Sequence, residues 1–111
     1  MNMDYYCEQV LSGRTPVQVV VETPTVLAYY HTRPAYAAHI VVIPKRHVDS
    51  LITLKDEDND LLIDLFTVIR QVADGIVAQH GACRVVTNLG SYQDTKHLHF
   101  HVFGGKLKPL D

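Results

Sequence analysis

The sequence predicts an α+β domain built from a five-stranded, mostly antiparallel sheet, one long helix and a short N-terminal helix. Three observations predict it. Several short apolar runs rich in β-branched residues have the length and turn punctuation of strands. One stretch, from about Asp56 to His80, changes its apolar period to 3.6. A last run, His97-Leu98-His99-Phe100-His101-Val102-Phe103, alternates imidazoles with large apolar side chains, as a half-buried strand requires.

Each element follows in order. Residues 4–12 read as a short helix, stopped by Gly13, with Pro16 marking the turn. Residues 17–21 are β-branched and form the first strand, and residues 26–30 form the second. Thr23-Pro24-Thr25 turns between them, making a hairpin. His31 to Pro34 is a loop, because the residue before a proline is pushed out of helical geometry. His39 to Ile43 is a nearly unbroken apolar run, hence a central strand that Pro44 ends. In the helix, Leu61, Leu65, Val68, Ile69, Val72 and Ile76 share one stripe. Leu62, Phe66, Ala73 and Val77 widen it beyond the needs of one sheet face. Asp56, Glu57, Asp58 and Asp60 crowd the start, where carboxylates favour the dipole, and Gly81 caps the end. Gly75 is expected to mark close packing, since glycine costs a helix about 1 kcal/mol relative to alanine. Residues 84–88 are the fourth strand, 89–96 a polar loop and 97–103 the fifth strand, broken by Gly104 and Gly105. Lys106 to Asp111 is a short tail.

The 111 residues make one domain, 1–111, with no repeat or linker. A net charge of −2 gives no electrostatic case for nucleic acid or an anionic membrane. No run approaches a membrane span and no signal pattern opens the sequence. Cys7 and Cys83 form no framework. A cytoplasmic setting is therefore the expectation.

Seven histidines in 111 residues make a chance His-x-His-x-His a roughly 0.03 event. The three rings would lie on one strand face, in a line about 13 Å long. Three chemistries use such a face. His97 and His99 could grip a metal, although all three rings cannot reach one ion. Imidazoles also serve as general acids and bases near neutral pH. A neutral imidazole can act as a nucleophile at phosphorus while its neighbours donate to the anionic oxygens. Spacing does not separate the last two.

The pattern His97-x-His99-x-His101 followed by two apolar residues resembles the signature of the histidine triad (HIT) superfamily. The remaining motifs agree in order: Pro34, then His39-Ile40-Val41-Val42-Ile43-Pro44-Lys45-x-His47, the long helix, Val85-Val86-Thr87-Asn88-x-Gly90, the triad and Gly104-Gly105. The resemblance covers nearly the whole chain. It is greatest to the Hint branch of purine nucleoside phosphoramidases and related nucleotide hydrolases. It implies the HIT-like fold, a homodimer with the two sheets joined, no cofactor, and a purine nucleotide or nucleoside phosphoramidate as substrate.

By position, the resemblance makes His99 the nucleophile that becomes a nucleotidyl-histidine, and His101 a donor to the phosphate oxygens. His97 and His39 orient the rings and set their protonation. Asn88 and Gln93 contact the ribose-phosphate and leaving-group region, and the segment from Ile40 to Ile43 lies against the base. Several positions depart from the family. His31 stands where an acidic residue usually grips the ribose, and Asp94 where a small hydroxyl residue is expected beside the phosphate. Asp4 replaces the first cysteine of a pair that holds structural zinc in some relatives, so no metal is expected. The alternatives are a nucleotide-binding regulatory module with little turnover, a dinucleoside polyphosphate hydrolase, or a metal-dependent enzyme using His97 and His99.

Overall fold

The computed structural model describes residues 4–107. The expected tail beyond Leu107 lies outside these residues. Five strands form one sheet: β1 (Val19–Glu22), β2 (Val26–Tyr30), β3 (Tyr36–Pro44), β4 (Arg84–Val86) and β5 (Phe100–Leu107). Their spatial order is β1-β2-β3-β5-β4, and every neighbouring pair is antiparallel. The fold class is as expected, with one long helix, α1 (Asn59–His80), covering one face.

The two faces are sorted by the period-two alternation of the strands. Ala28, Ile40, Val42, Phe100 and Val102 pack with Leu61, Leu65, Val68, Ile69, Val72 and Ile76 of α1. On the opposite face, Leu27, Tyr29, Val41 and Ile43 pack with Tyr6 and Val10 of an N-terminal helical segment, Tyr6–Leu11, which is π-helical. The Asp4 carboxylate opens that segment, with Oδ1 accepting the N–H groups of Tyr6 and Cys7, both at 3.1 Å.

The apolar stripe of α1 is buried as its spacing predicts. The widening residues Phe66 and Val77 are exposed, as is Ile63. The helix begins at Asn59; Asp56–Asp58 form a separate 3₁₀ turn in which the Asp58 side chain accepts the Lys55 N–H. Gly81 ends the helix with φ 85°, donating its N–H to the Val77 carbonyl. Gly75 is exposed, and a Cβ placed there meets nothing within 4 Å, so close packing is not its reason.

The close approach lies instead at Gly104, where a Cβ would fall 2.3 Å from the Ala82 carbonyl oxygen and 2.6 Å from Ile76 Cγ2. Gly104 and Gly105 do not break the last strand. They let β5 run on beneath the end of the helix to Leu107. At its start β5 is shorter than the alternation predicts. His97, Leu98 and His99 lie ahead of it, and the Leu98 N–H is taken by the Val48 carbonyl at 2.6 Å instead of a neighbouring strand.

Candidate active site

The histidines gather on the sheet face opposite α1. His101 pairs with Val41 across the β3–β5 ladder, and His39 pairs with Phe103. This brings the His39 and His101 rings to 5.2 Å, and the His99 and His101 rings also to 5.2 Å. His31, just past β2, stacks on His39 at 4.5 Å. Tyr6 reaches over from the N-terminal segment and lies 4.8 Å from His99 and 5.6 Å from His97. His97 is fully buried and His99 nearly so.

The partners of each ring nitrogen fix its proton, because a backbone carbonyl only accepts and a backbone N–H only donates. His99 Nδ1 lies 2.7 Å from the His97 carbonyl oxygen, so Nδ1 carries the hydrogen and Nε2 keeps a lone pair. His39 Nδ1 accepts the Ala35 N–H at 3.2 Å, so its Nε2–H donates to His101 Nδ1 at 3.0 Å. The remaining hydrogen of a neutral His101 is then on Nε2. His31 Nδ1 accepts the Arg33 N–H at 2.9 Å, which leaves its Nε2–H as a donor too. One lone pair, on His99, therefore stands among imidazole donors.

Burial keeps these rings neutral. Desolvation, followed by repulsion from neighbouring imidazoles, holds the pKa of His101 down to about 4. Desolvation and His31 do the same for His39, also to about 4. Desolvation lowers His99 and His31 as well. The exposed Asp94 carboxylate acts in the opposite sense on His99, which places its charge within electrostatic reach of that ring.

The other predicted residues divide. Asn88 is half-buried beyond the end of β4. Gln93 is buried, and its amide donates to the carbonyls of Asp49 at 2.7 Å and Thr95 at 3.0 Å, so both hydrogens are spent on holding the loop. Ile40 is not at the site. Strand alternation turns it away from His39 and into the core beneath α1, while Val41 and Ile43 face the histidine side. Sequence reasoning passed over Tyr6, and also Thr87, whose hydroxyl donates to the His99 carbonyl at 2.8 Å. Tyr6 lies far from the triad in sequence and belongs to no pattern that would have marked it, whereas Thr87 stands in the motif ending Asn88-x-Gly90, but the resemblance assigns it no role there.

His97 faces a different neighbourhood. Its Nε2–H donates to the Pro44 carbonyl at 2.9 Å, while Nδ1 lies 2.9 Å from Asp4 Oδ2 and 3.4 Å from Cys7 Sγ. His47 joins them, with Nδ1 on Asp4 Oδ2 and Nε2 at 2.6 Å from Asp49 Oδ1. Asp4, Cys7, His47 and His97 each offer one donor atom, all within 4.8 Å of one another. The set suits zinc: two imidazoles, a sulfur and a carboxylate, with the far nitrogen of each imidazole held by a carbonyl or carboxylate, as metal-bound histidines usually are. Absence of zinc was expected because one cysteine is missing. The donor set nevertheless numbers four, because Asp4 contributes a carboxylate oxygen. Such a site is closed, with four protein ligands and no open position for chemistry.

His31, His39 and His101 also bring nitrogens within 4.8 Å of one another. Here the Arg33 and Ala35 N–H groups fix protonated Nε2 atoms on His31 and His39, which is wrong for holding a metal through those atoms. A metal pair on His97 and His99 is not assembled either: the His97 donor atom gathers with Asp4, Cys7 and His47, and His99 is not among them.

The fold and the triad agree with what comparison with known proteins finds. The HIT domain family model matches residues 12–108. An uncharacterised HIT-like protein of Azospirillum brasilense is 34% identical over 101 residues, covering 88% of this chain and 83% of its own. A histidine triad protein from Clostridium difficile is 35% identical with a TM-score of 0.79, and 100% of this chain and 98% of that one are covered. A HIT family hydrolase from Legionella pneumophila is 29% identical with a TM-score of 0.80, and 91% of each chain is covered. This chain belongs to the HIT domain family.

Proposed function

We propose that the protein hydrolyses nucleoside 5′-phosphoramidates and related nucleotides through a covalent intermediate on His99. The observation that carries this reading is the 2.7 Å contact of His99 Nδ1 with the His97 carbonyl oxygen, which assigns the proton to Nδ1 and leaves Nε2 as a nucleophile beside the donor on His101. Nε2 attacks the α-phosphorus. The N–P bond forms as the bond to the leaving amine breaks, and the amine departs with the electron pair and takes up a proton from solvent water. Water then attacks phosphorus and gives up a proton to solvent as the N–P bond breaks, releasing the nucleoside monophosphate and returning the electron pair to His99 Nε2. His101 Nε2–H donates to a phosphate oxygen throughout, its proton position maintained by His39 and, behind it, the Ala35 N–H. Asn88 contacts the ribose-phosphate, and the negative Asp94 favours a departing amine over a departing polyphosphate.

Rapid quench in alkaline denaturant, which preserves a phosphorus–imidazole bond that acid would cleave, tests this directly on a reaction with adenosine phosphoramidate labelled at phosphorus. The label should appear on the protein within the first turnover and be absent from His99→Ala. Nucleotide binding with no label and no turnover would instead identify a regulatory nucleotide-binding module. Dinucleoside polyphosphates turned over faster than phosphoramidates would replace the amine-leaving substrate class.

The protein is also proposed to act as a homodimer. Ile63, Phe66 and Val77 on α1 and Val85 on the edge strand β4 are exposed apolar side chains that a second copy would cover. Light scattering at micromolar concentration giving the mass of one chain would contradict this.

A further inference from the structure

A cavity of about 380 Å³ opens beside the triad, lined by Tyr5, Tyr6, Tyr29, His31, Thr32 and Arg33. Two of its walls belong to the site already described. Tyr6 lies against His99, and His31 stacks on His39 with its ring 5.8 Å from His101. The tyrosines offer flat apolar surface for a base. The polar wall is unusual in what it lacks. Among the described residues no carboxylate and no side-chain amide lines the cavity, so none of them offers a strong acceptor to a ligand's hydroxyl groups. His31 turns its Nε2–H outward because Nδ1 is taken by the Arg33 N–H, and Arg33 itself carries five donors and no acceptor. Among the described residues Arg33 has no ion-pair partner, unlike Lys45 and Arg46, which are paired with Glu22 and Asp58.

A wall of donors with an uncommitted guanidinium is built for an anion, and a neutral sugar edge would leave it unsatisfied. The anion must also lie on the nucleoside side of the reacting phosphorus. In a displacement by His99 the leaving group departs on the side opposite the attacking nitrogen, whereas His31 and Arg33 share their cavity with Tyr6, which packs on His99 itself.

We infer that the preferred substrate carries a second phosphate on its ribose, received by His31 and Arg33. This inference rests on the proposed nucleotide chemistry and narrows its substrate class. Burial keeps the His31 ring neutral, so its contribution is a single N–H donor and the guanidinium supplies the charge.

The experiment compares two pairs of probes on the whole protein, wild type and Arg33→Gln. One pair is adenosine 5′-phosphoramidate with and without a 3′-phosphate, read as kcat/KM. The other is adenosine 3′,5′-bisphosphate against adenosine 5′-monophosphate, read as Kd by calorimetry. The expected result is a preference of at least about tenfold for the doubly charged member of each pair, falling toward unity in Arg33→Gln and shrinking as salt is raised. Equal or weaker binding of the bisphosphate by the wild type overturns the inference. A preference that survives Arg33→Gln undiminished does so too. Turnover failing for both substrates while the binding preference stands would remove the phosphoramidase reading and leave the anion site. Diadenosine polyphosphate serves as a third substrate: an Arg33→Gln defect confined to it would assign the anion to the leaving group and overturn the ribose placement.

Discussion

His99 donates its Nδ1 hydrogen to the carbonyl of His97, two residues earlier, at 2.7 Å. A side chain has thus been given a fixed tautomer by its own local backbone, and the reactive nitrogen needs no base to expose its lone pair. Replacing His99 by alanine should lower kcat/KM for a phosphoramidate by at least about a thousandfold, roughly 4 kcal/mol of barrier, while nucleotide binding persists. Steady-state kinetics with calorimetry on the same variant checks both halves. Retention of more than a tenth of the wild-type value would remove the nucleophile assignment.

The Asp4, Cys7, His47 and His97 set should bind one zinc per chain and fasten the N-terminal segment to the triad loop. Zinc added to stripped protein should raise Tm by about 5 °C or more, and Cys7→Ser should lose most of that gain. Turnover at a temperature where the stripped protein remains folded should be little changed, because the donor set is closed. Chelation that abolishes turnover there without unfolding would contradict a purely structural ion.

Acid should weaken the fold through His39 and His101. Both have folded pKa values of about 4, below the ordinary value near 6.5 that they regain on unfolding. Between those values the unfolded chain binds more protons than the native one, so stability falls as pH drops from 6.5 toward 4 and is unaffected by these groups above that window. Thermal melts across pH 7 to 4.5 should show this slope. The double variant His39→Asn with His101→Asn should show a shallower one, and an identical slope would exclude the two rings as its source.

Two glycines should respond oppositely to alanine. Gly75 is exposed with open space where a Cβ would go, so Gly75→Ala should stabilise the protein by about 1 kcal/mol. Gly104→Ala would drive a methyl into the Ala82 carbonyl and Ile76, and should destabilise by about 3 kcal/mol or more. Urea unfolding of the two variants measures both.

Much of this was legible in the sequence because it is periodic. The stripe from Leu61 to Ile76 gave α1 its buried face, and the alternation after His97 gave the sheet its histidine side. The same alternation, carried one residue past His39, also tells that Ile40 faces the core, so that error contradicted a signal already present. What could not be read was set by partners distant in sequence. The start of β5 shifts to Phe100 because Val48 takes the Leu98 N–H and Thr87 takes the His99 carbonyl. The ring tautomers depend on the Ala35 and Arg33 N–H groups, whose direction comes from the loop before β3. Residue identity makes Asp4 a lost cysteine in the sequence, whereas the fold sets its carboxylate among Cys7, His47 and His97.

Asp4 and His97 are 93 residues apart and touch at 2.9 Å, and Tyr6 closes over His99 from the same early segment. The reactive centre is therefore a clasp between the beginning of the described fold and the segment that leads into its last strand. During synthesis neither half has its counterpart until nearly all of the domain has been made, so a stalled or trimmed chain carries no partly assembled histidine site. The practical counterpart concerns recombinant handling: a bulky fusion immediately ahead of Asp4 would press on the clasp itself, although residue numbering alone would place it as far as possible from the histidines.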